Sequence, residues 1–217
     1  LSLNLVWRVG FFLGVPMATI SPVRIANMAL SNIGASSTIE SLTEESTEAK
    51  QANLWYDWSR LQVLELHDWS FARKRRILAN HSEDPPAIWG YRYQYPDDCV
   101  IMRFLQHPAL DADTADAVPF DIESDDAKET KTILTSLEDA VGVYTFDQVT
   151  TSLFTPLFVE MLAAMLSYHM AFSITGDRGN QEAQLQKLLL LGQQATDVNS
   201  NEEVKKPPRD AEWHRGR

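Results

Sequence analysis

Five histidines, at positions 67, 81, 107, 169 and 214, are the side chains best suited to proton transfer or metal binding near neutral pH. No two stand at the short spacings that place metal ligands on one face or in one turn. Glu65 and His67 lie two apart and so point to different faces of a helix. The single cysteine, Cys99, follows a turn and enters an apolar run, the setting of a buried structural thiol. It excludes an intrachain disulfide and any cysteine-cluster metal site. No serine stands in a nucleophile elbow. Thr175 to Asn180 (TGDRGN) joins two helical patterns with no strand before it, so its glycines end a helix and turn the chain rather than cradle a phosphate. These residues ask for no catalytic centre, no metal and no cofactor, and the chain is expected not to be an enzyme.

Charge is unevenly spread. Arg73 to Arg76 (RKRR) is a run of four cations; without interleaved aromatics it reads as a solvated or ion-paired edge rather than a DNA site. Residues 97–139 hold twelve carboxylates (Asp97, Asp98, Asp111, Asp113, Asp116, Asp121, Glu123, Asp125, Asp126, Glu129, Glu138 and Asp139) against Arg103, Lys128 and Lys131. Their net −9 is most of the chain's formal −11. The plain reading is soluble exposed loops; the sharper one is a surface that must not adhere to nucleic acid. No EF-hand loop is present to suggest calcium. With 19 Lys and Arg against 30 Asp and Glu, the chain lacks the excess of cations that generic nucleic-acid binding requires.

The elements that must carry these groups follow from periodicity. Ser21 and Pro22 form an N-cap and first-turn pair ahead of a helix to about Ile33, with Gly34 as terminator. Ser41 and Glu44 suggest a capping box opening a second helix that runs to about His67. Trp89 to Tyr95 alternates aromatic with small or polar residues, the period-two mark of a strand, and Cys99 to Leu105 is a second β-type run. Weaker strand patterns lie at 120–123, 131–135 and 141–146. Thr155 and Pro156 open a third helix, apolar nearly all round, ending at Gly176. Glu160, Ser167 and His169 argue against its being a membrane span. A fourth helix covers about 180–198, where Gly192 suggests a close helix–helix approach.

The expected fold is α+β and mainly α. It is an antiparallel four-helix bundle (17–71 and 151–198) with a β-rich insertion (72–150) between helices two and three, and an extended C-terminal tail. With 44% hydrophobic and 23% charged residues the composition is that of an ordinary globular domain. Residues 1–16 differ: Arg8, Gly10, Gly14 and Pro16 interrupt the apolar run, which suits neither a signal peptide nor a span. They are read as upstream sequence or an arm, with Met17 as the natural start. Residues 199–217 carry five basic and four acidic groups, two prolines and one large aromatic, Trp213, and show no periodicity.

Several blocks, in order, resemble the phage head-to-tail adaptor, or tail tubular protein A, family. They are Ile25 to Gly34 (IANMALSNIG), Trp55 to Asp57, His67 to Ala72 (HDWSFA) and Trp89 to Cys99 (WGYRYQYPDDC). The series continues with Ile133 to Thr135, Asp139 to Val141, Phe154 to Phe158 (FTPLF), and Leu162 to Ala164 running on to Asp177. The resemblance spans roughly residues 20–200. It implies a four-helix bundle with a β insertion, assembled as a ring of about twelve copies at the head–tail junction of a virion made in a bacterial cytoplasm. The portal protein would sit above and a tail nozzle below. Double-stranded DNA would pass through without sequence-specific binding, and no membrane is involved. Residues 1–16 have no counterpart in that pattern, and the acidic middle matches no particular positions.

On this reading the tail docks on the portal through Lys205, Lys206, Arg209, Trp213 and Arg215. Asp111, Asp113, Asp116, Asp125 and Asp126 are the candidates to line the channel. Two rival classes are a non-enzymatic helical regulatory or chaperone-like protein and a tail-associated hydrolase. The hydrolase needs paired carboxylates or a nucleophile–base pair in one pocket, which the sequence does not display.

Overall fold

The computed structural model describes residues 20–108, 118–125 and 129–202, with 197–202 as backbone only. Helix α1 spans Pro22–Asn32, and the Ser21 side chain accepts a hydrogen bond from the Arg24 amide. Helix α2 spans Thr47–Leu66 and starts later than the capping-box pattern suggests. The Glu44 carboxylate does fold back onto the amides of Glu40 and Ser41 and the Ser46 hydroxyl. That arrangement closes a turn, and Ser46, accepting from Ala49, is the true cap. Helix α3 spans Pro156–Thr175, with Thr155 as N-cap. Gly176 ends it in the left-handed region (φ 68°), a conformation open to glycine at no steric cost. Helix α4 covers Arg178–Glu202, four residues past the expected end.

Among the described residues, six strands in two antiparallel sheets lie between α2 and α3. Strands β1 (Arg73–Ile77), β6 (Val141–Phe146) and β3 (Cys99–Gln106) form one, in that order. Strands β2 (Tyr91–Gln94), β5 (Thr130–Thr135) and β4 (Phe120–Asp125) form the other. Leu78, Tyr93, Met102, Leu105, Ile133, Ala140 and Tyr144, drawn from both sheets, make one buried cluster between them. Gly142 packs closely there: a Cβ at that position would lie 2.8 Å from Leu78 Cδ2 and 3.2 Å from Met102 Cε, so those side-chain tips would have to shift.

The expected antiparallel four-helix bundle with one β insertion is therefore corrected: the described residues form a mixed α/β fold of four helices and two three-stranded antiparallel sheets. The physical reason lies in α3. It is apolar on nearly every side, and α1, α2 and α4 each pack on it, whereas α1 and α2 meet only slightly. Four helices around a shared core would each touch two neighbours equally. Here α2 meets β3 and β6 about as slightly as it meets α1. The largest core cluster gathers Ile25, Leu30, Val63, Leu64, Phe158, Leu162 and Leu166 around α3. By length and composition α3 could cross a membrane, but most of it is buried inside the protein.

Polar ties lock the helical layer to the sheets. Arg103 on β3 donates through Nη2 to the carbonyls of Leu64, Glu65 and His67 at 3.0, 3.1 and 2.6 Å, capping the end of α2. Its Nε donates to Thr145 Oγ1 of β6. Arg60 of α2 reaches Asp147, just past β6. The expected close helix approach at Gly192 is not found: a Cβ there would meet only His67 Nε2, at an ordinary 3.9 Å.

Candidate functional site

Chemistry-bearing side chains come together at one place the sequence did not reveal. His81, in the link from β1 to β2, meets Asp125 at the end of β4, with Nε2 and Oδ2 2.9 Å apart. Both side chains are nearly closed to solvent, 2% and 4% exposed. Glu83 completes a group whose donor atoms lie within 4.8 Å of one another. The hydrogen bonds decide what the group can do. The Glu83 backbone N–H can only donate, and it donates to His81 Nδ1 at 3.2 Å. Nε2 therefore carries the ring proton of the neutral imidazole and gives it to the Asp125 carboxylate. A metal on Nε2 would move that proton to Nδ1, facing the Glu83 N–H, while Glu83 Oε2 already accepts from Arg92. In this arrangement the group clamps two sheet segments together. The 44 residues separating its two buried members hid it from any spacing rule.

Of the channel candidates, Asp125 is thus turned inward onto His81 rather than presented at a surface. Asp111, Asp113, Asp116 and Asp126 lie outside the described residues, as do the tail candidates Lys205, Lys206, Arg209, Trp213 and Arg215 and the segment 1–16. The RKRR run forms β1. Arg73 pairs with Asp68, and Lys74 pairs with Asp98 while lying 3.8 Å above the Phe146 ring. Burial raises Asp98, but hydrogen bonds from Lys74 and Tyr144 outweigh it and hold the carboxyl below its ordinary value. Cys99 is half-buried and burial pushes its thiol up to about 11, which leaves it protonated and unreactive at neutral pH.

What the surface offers instead is apolar. On α2, Leu54 and Trp58, one turn apart, are 62% and 55% exposed. Trp58 continues with Leu61, Gln62 and Glu65 into an open groove facing Asp97, Asp98, Cys99 and Val100. On α4, Leu185, Leu189 and Leu190 are exposed beside the uncharged Gln186, Gln193, Gln194 and Thr196, with Glu182 exposed one turn before Leu185. An outer helix face normally carries charge; one lined by leucine and glutamine is built to be covered. Phe172, at the end of α3, is exposed beneath the Arg178 guanidinium. The two helices bearing these faces each pack on α3.

Two histidines bear on stability. His169 stacks on Trp55, with centroids 4.5 Å apart, and its Nε2 donates to Gln62 Oε1 at 2.8 Å. Burial lowers its pKa; burial and the nearby Arg103 charge lower that of His67. The unfolded chain then binds more protons than the folded one as pH falls through the ordinary histidine value near 6.5. Stability should be fully present above that value and decline as pH drops toward the folded-state values. Urea midpoints measured from neutral to mildly acidic pH should show this slope, and His169→Phe should flatten it; an unchanged slope would count against His169 as a source.

No protein-family model matches this sequence, and no curated protein is significantly similar to it.

Proposed function

We propose that this chain is a structural head-to-tail adaptor of a phage virion, working as a closed ring between portal and tail nozzle through which DNA passes. The observation that carries the reading is the exposed apolar residues of α2 and α4, Leu54 and Trp58 on the one and Leu185, Leu189 and Leu190 on the other. A lone chain has no use for them, and obligate subunit interfaces are where such faces are covered. The ordered likeness of residues 20–200 to the adaptor family supports the same reading.

Within it, the basic tail with Trp213 docks on the portal, and Asp111, Asp113, Asp116 and Asp126 face the bore, where like charge keeps DNA from adhering. Light scattering of the chain with and without purified portal rings, backed by imaging of whole particles, tests the proposal. A stable complex and density at the junction are expected; absence from purified particles would overturn it. Deleting residues 203–217 should leave a folded protein that no longer binds portal, and unaltered binding would remove the tail from the account.

A further inference from the structure

The two sheets end in open edges of opposite charge. β1 is the outer strand of its sheet and β4 of the other, and among the described residues nothing pairs with the free side of either. The chain leaving β1 pairs along the outside of β2, with His81 N donating to Arg92 O and Gln94 N to Ala79 O, both at 2.8 Å, whereas β4 lies beyond β5. β1 reads RKRRI, and all of it after Arg73 is exposed. β4 reads FDIESD, with Asp121, Ile122, Glu123 and Ser124 exposed. Arg75 has no ion-pair partner among the described residues; Glu123 has none either, and Asp121 does no more than accept from the neighbouring Ile122 amide.

Charges on an edge strand ordinarily prevent pairing. Here the protection is selective. A cationic β1 repels another β1, and an anionic β4 repels another β4, but β1 and β4 attract. Side chains alternate along a strand, so Asp121 and Glu123 share one face. Each face of β1 would meet them with one exposed arginine, Arg75 or Arg76, since Arg73 and Lys74 are already paired with Asp68 and Asp98. Each edge also exposes an isoleucine, Ile77 at 65% and Ile122 at 39%, which defence alone does not call for.

We propose that β1 of one copy pairs edge to edge with β4 of the next, forming a continuous inter-subunit sheet. Among pairings of these two edges, the charge pattern rejects the two symmetric dimers and favours a head-to-tail contact, the kind that generates rings. This inference rests on the ring reading and names one of its interfaces.

The test is a charge swap followed by sedimentation over a concentration series at low and high salt. The unaltered chain should self-associate, more weakly as salt screens the edges. R75E/R76E should associate roughly tenfold or more weakly, as should D121K/E123K, each keeping its circular dichroism; R75E alone, at a position without such a contact, is the control for stability, because Arg76 also contacts the Tyr144 hydroxyl. Mixing the two variants should restore association, and so should the chain carrying all four changes. A monomer at every concentration, association indifferent to the single-edge variants, or failure of the four-change chain to recover would each overturn the pairing. If the single-edge variants are indifferent while L54S/W58S abolishes association, the ring survives without this interface. If the edges behave as stated but portal binding is absent, the interface stands and the adaptor reading falls.

Discussion

Asp147→Ala should cost about 3–5 kcal/mol of unfolding free energy, the range for stripping one partner from a buried ion pair. Arg60 is buried, its side chain 7% exposed, and its guanidinium is fully directed. Nε and Nη2 donate to Asp147 Oδ1 at 3.1 and 2.9 Å, Nη2 also reaches Oδ2 at 3.1 Å, and Nη1 donates to Asp57 Oδ1. Asp57 stands in solvent at 78% exposure and cannot replace a fork-to-fork pair. Asp147 is itself 37% exposed, so water can reach part of the vacated site and the lower end of the range is expected. At roughly 2–4 °C per kcal/mol for a chain of this size, the melting temperature should fall by about 6–12 °C. Thermal melts and urea titration measure it. Arg60→Met combined with Asp147→Leu should recover most of the loss, because it removes both charges instead of stranding one. A loss below about 1 kcal/mol for the single variant would mean that the pair does not hold α2 to the sheets.

Arg60 also marks where the sequence stops being legible. The helices were readable because their signals are local: Ser21 and Thr155 as caps, each followed by proline, and Gly176 as terminator, all do what their types suggest. Strands β2 to β6 followed the alternation at or near the expected positions. β1 did not, because four successive cations conceal the two-residue period, although reading the run as an ion-paired edge agrees with Arg73 on Asp68 and Lys74 on Asp98.

Which elements pack on which was not legible. An apolar stripe says that a face is buried, never against what, and α3, apolar all round, is compatible with several arrangements of neighbours. The decision is made by Arg60 and Arg103, residues that composition assigns to the surface and that here bind α2 to β3 and to the exit from β6. The exposed faces were hidden for a related reason. Leu54, Trp58, Leu185 and Leu189 sit at spacings that suit a core as well as a surface, so only the fold separates the two. The His81–Asp125 clamp needs the sheet order before it can be seen at all.

Phe158→Ala should be as damaging as the loss of Asp147, by a different route. Phe158 is fully buried at the first turn of α3, and three aromatic rings surround it: Trp69 at 5.1 Å, Phe71 at 5.0 Å and Phe154 at 4.6 Å between centroids. The first two contacts are edge-to-face, the arrangement in which the positive rim of one ring meets the negative face of another. Trp69 is anchored in turn by its Nε1–H, which donates to Val63 O at 2.8 Å. Truncation removes the ring from all three neighbours and leaves a cavity that these rigid groups cannot close, a cost of about 3–5 kcal/mol. Phe158→Leu, which fills most of the volume, should cost less than about 1.5 kcal/mol.

The site also couples to the edge strand. Trp69 and Phe71 lie in the short link from α2 to β1, so loosening them should free β1 before the rest of the sheet. Amide exchange should therefore accelerate across residues 69–77 more than across β5. Equal acceleration everywhere would mean that the link and the sheet open as a single unit, and that the aromatic cluster supports the whole fold without specially holding the β1 edge.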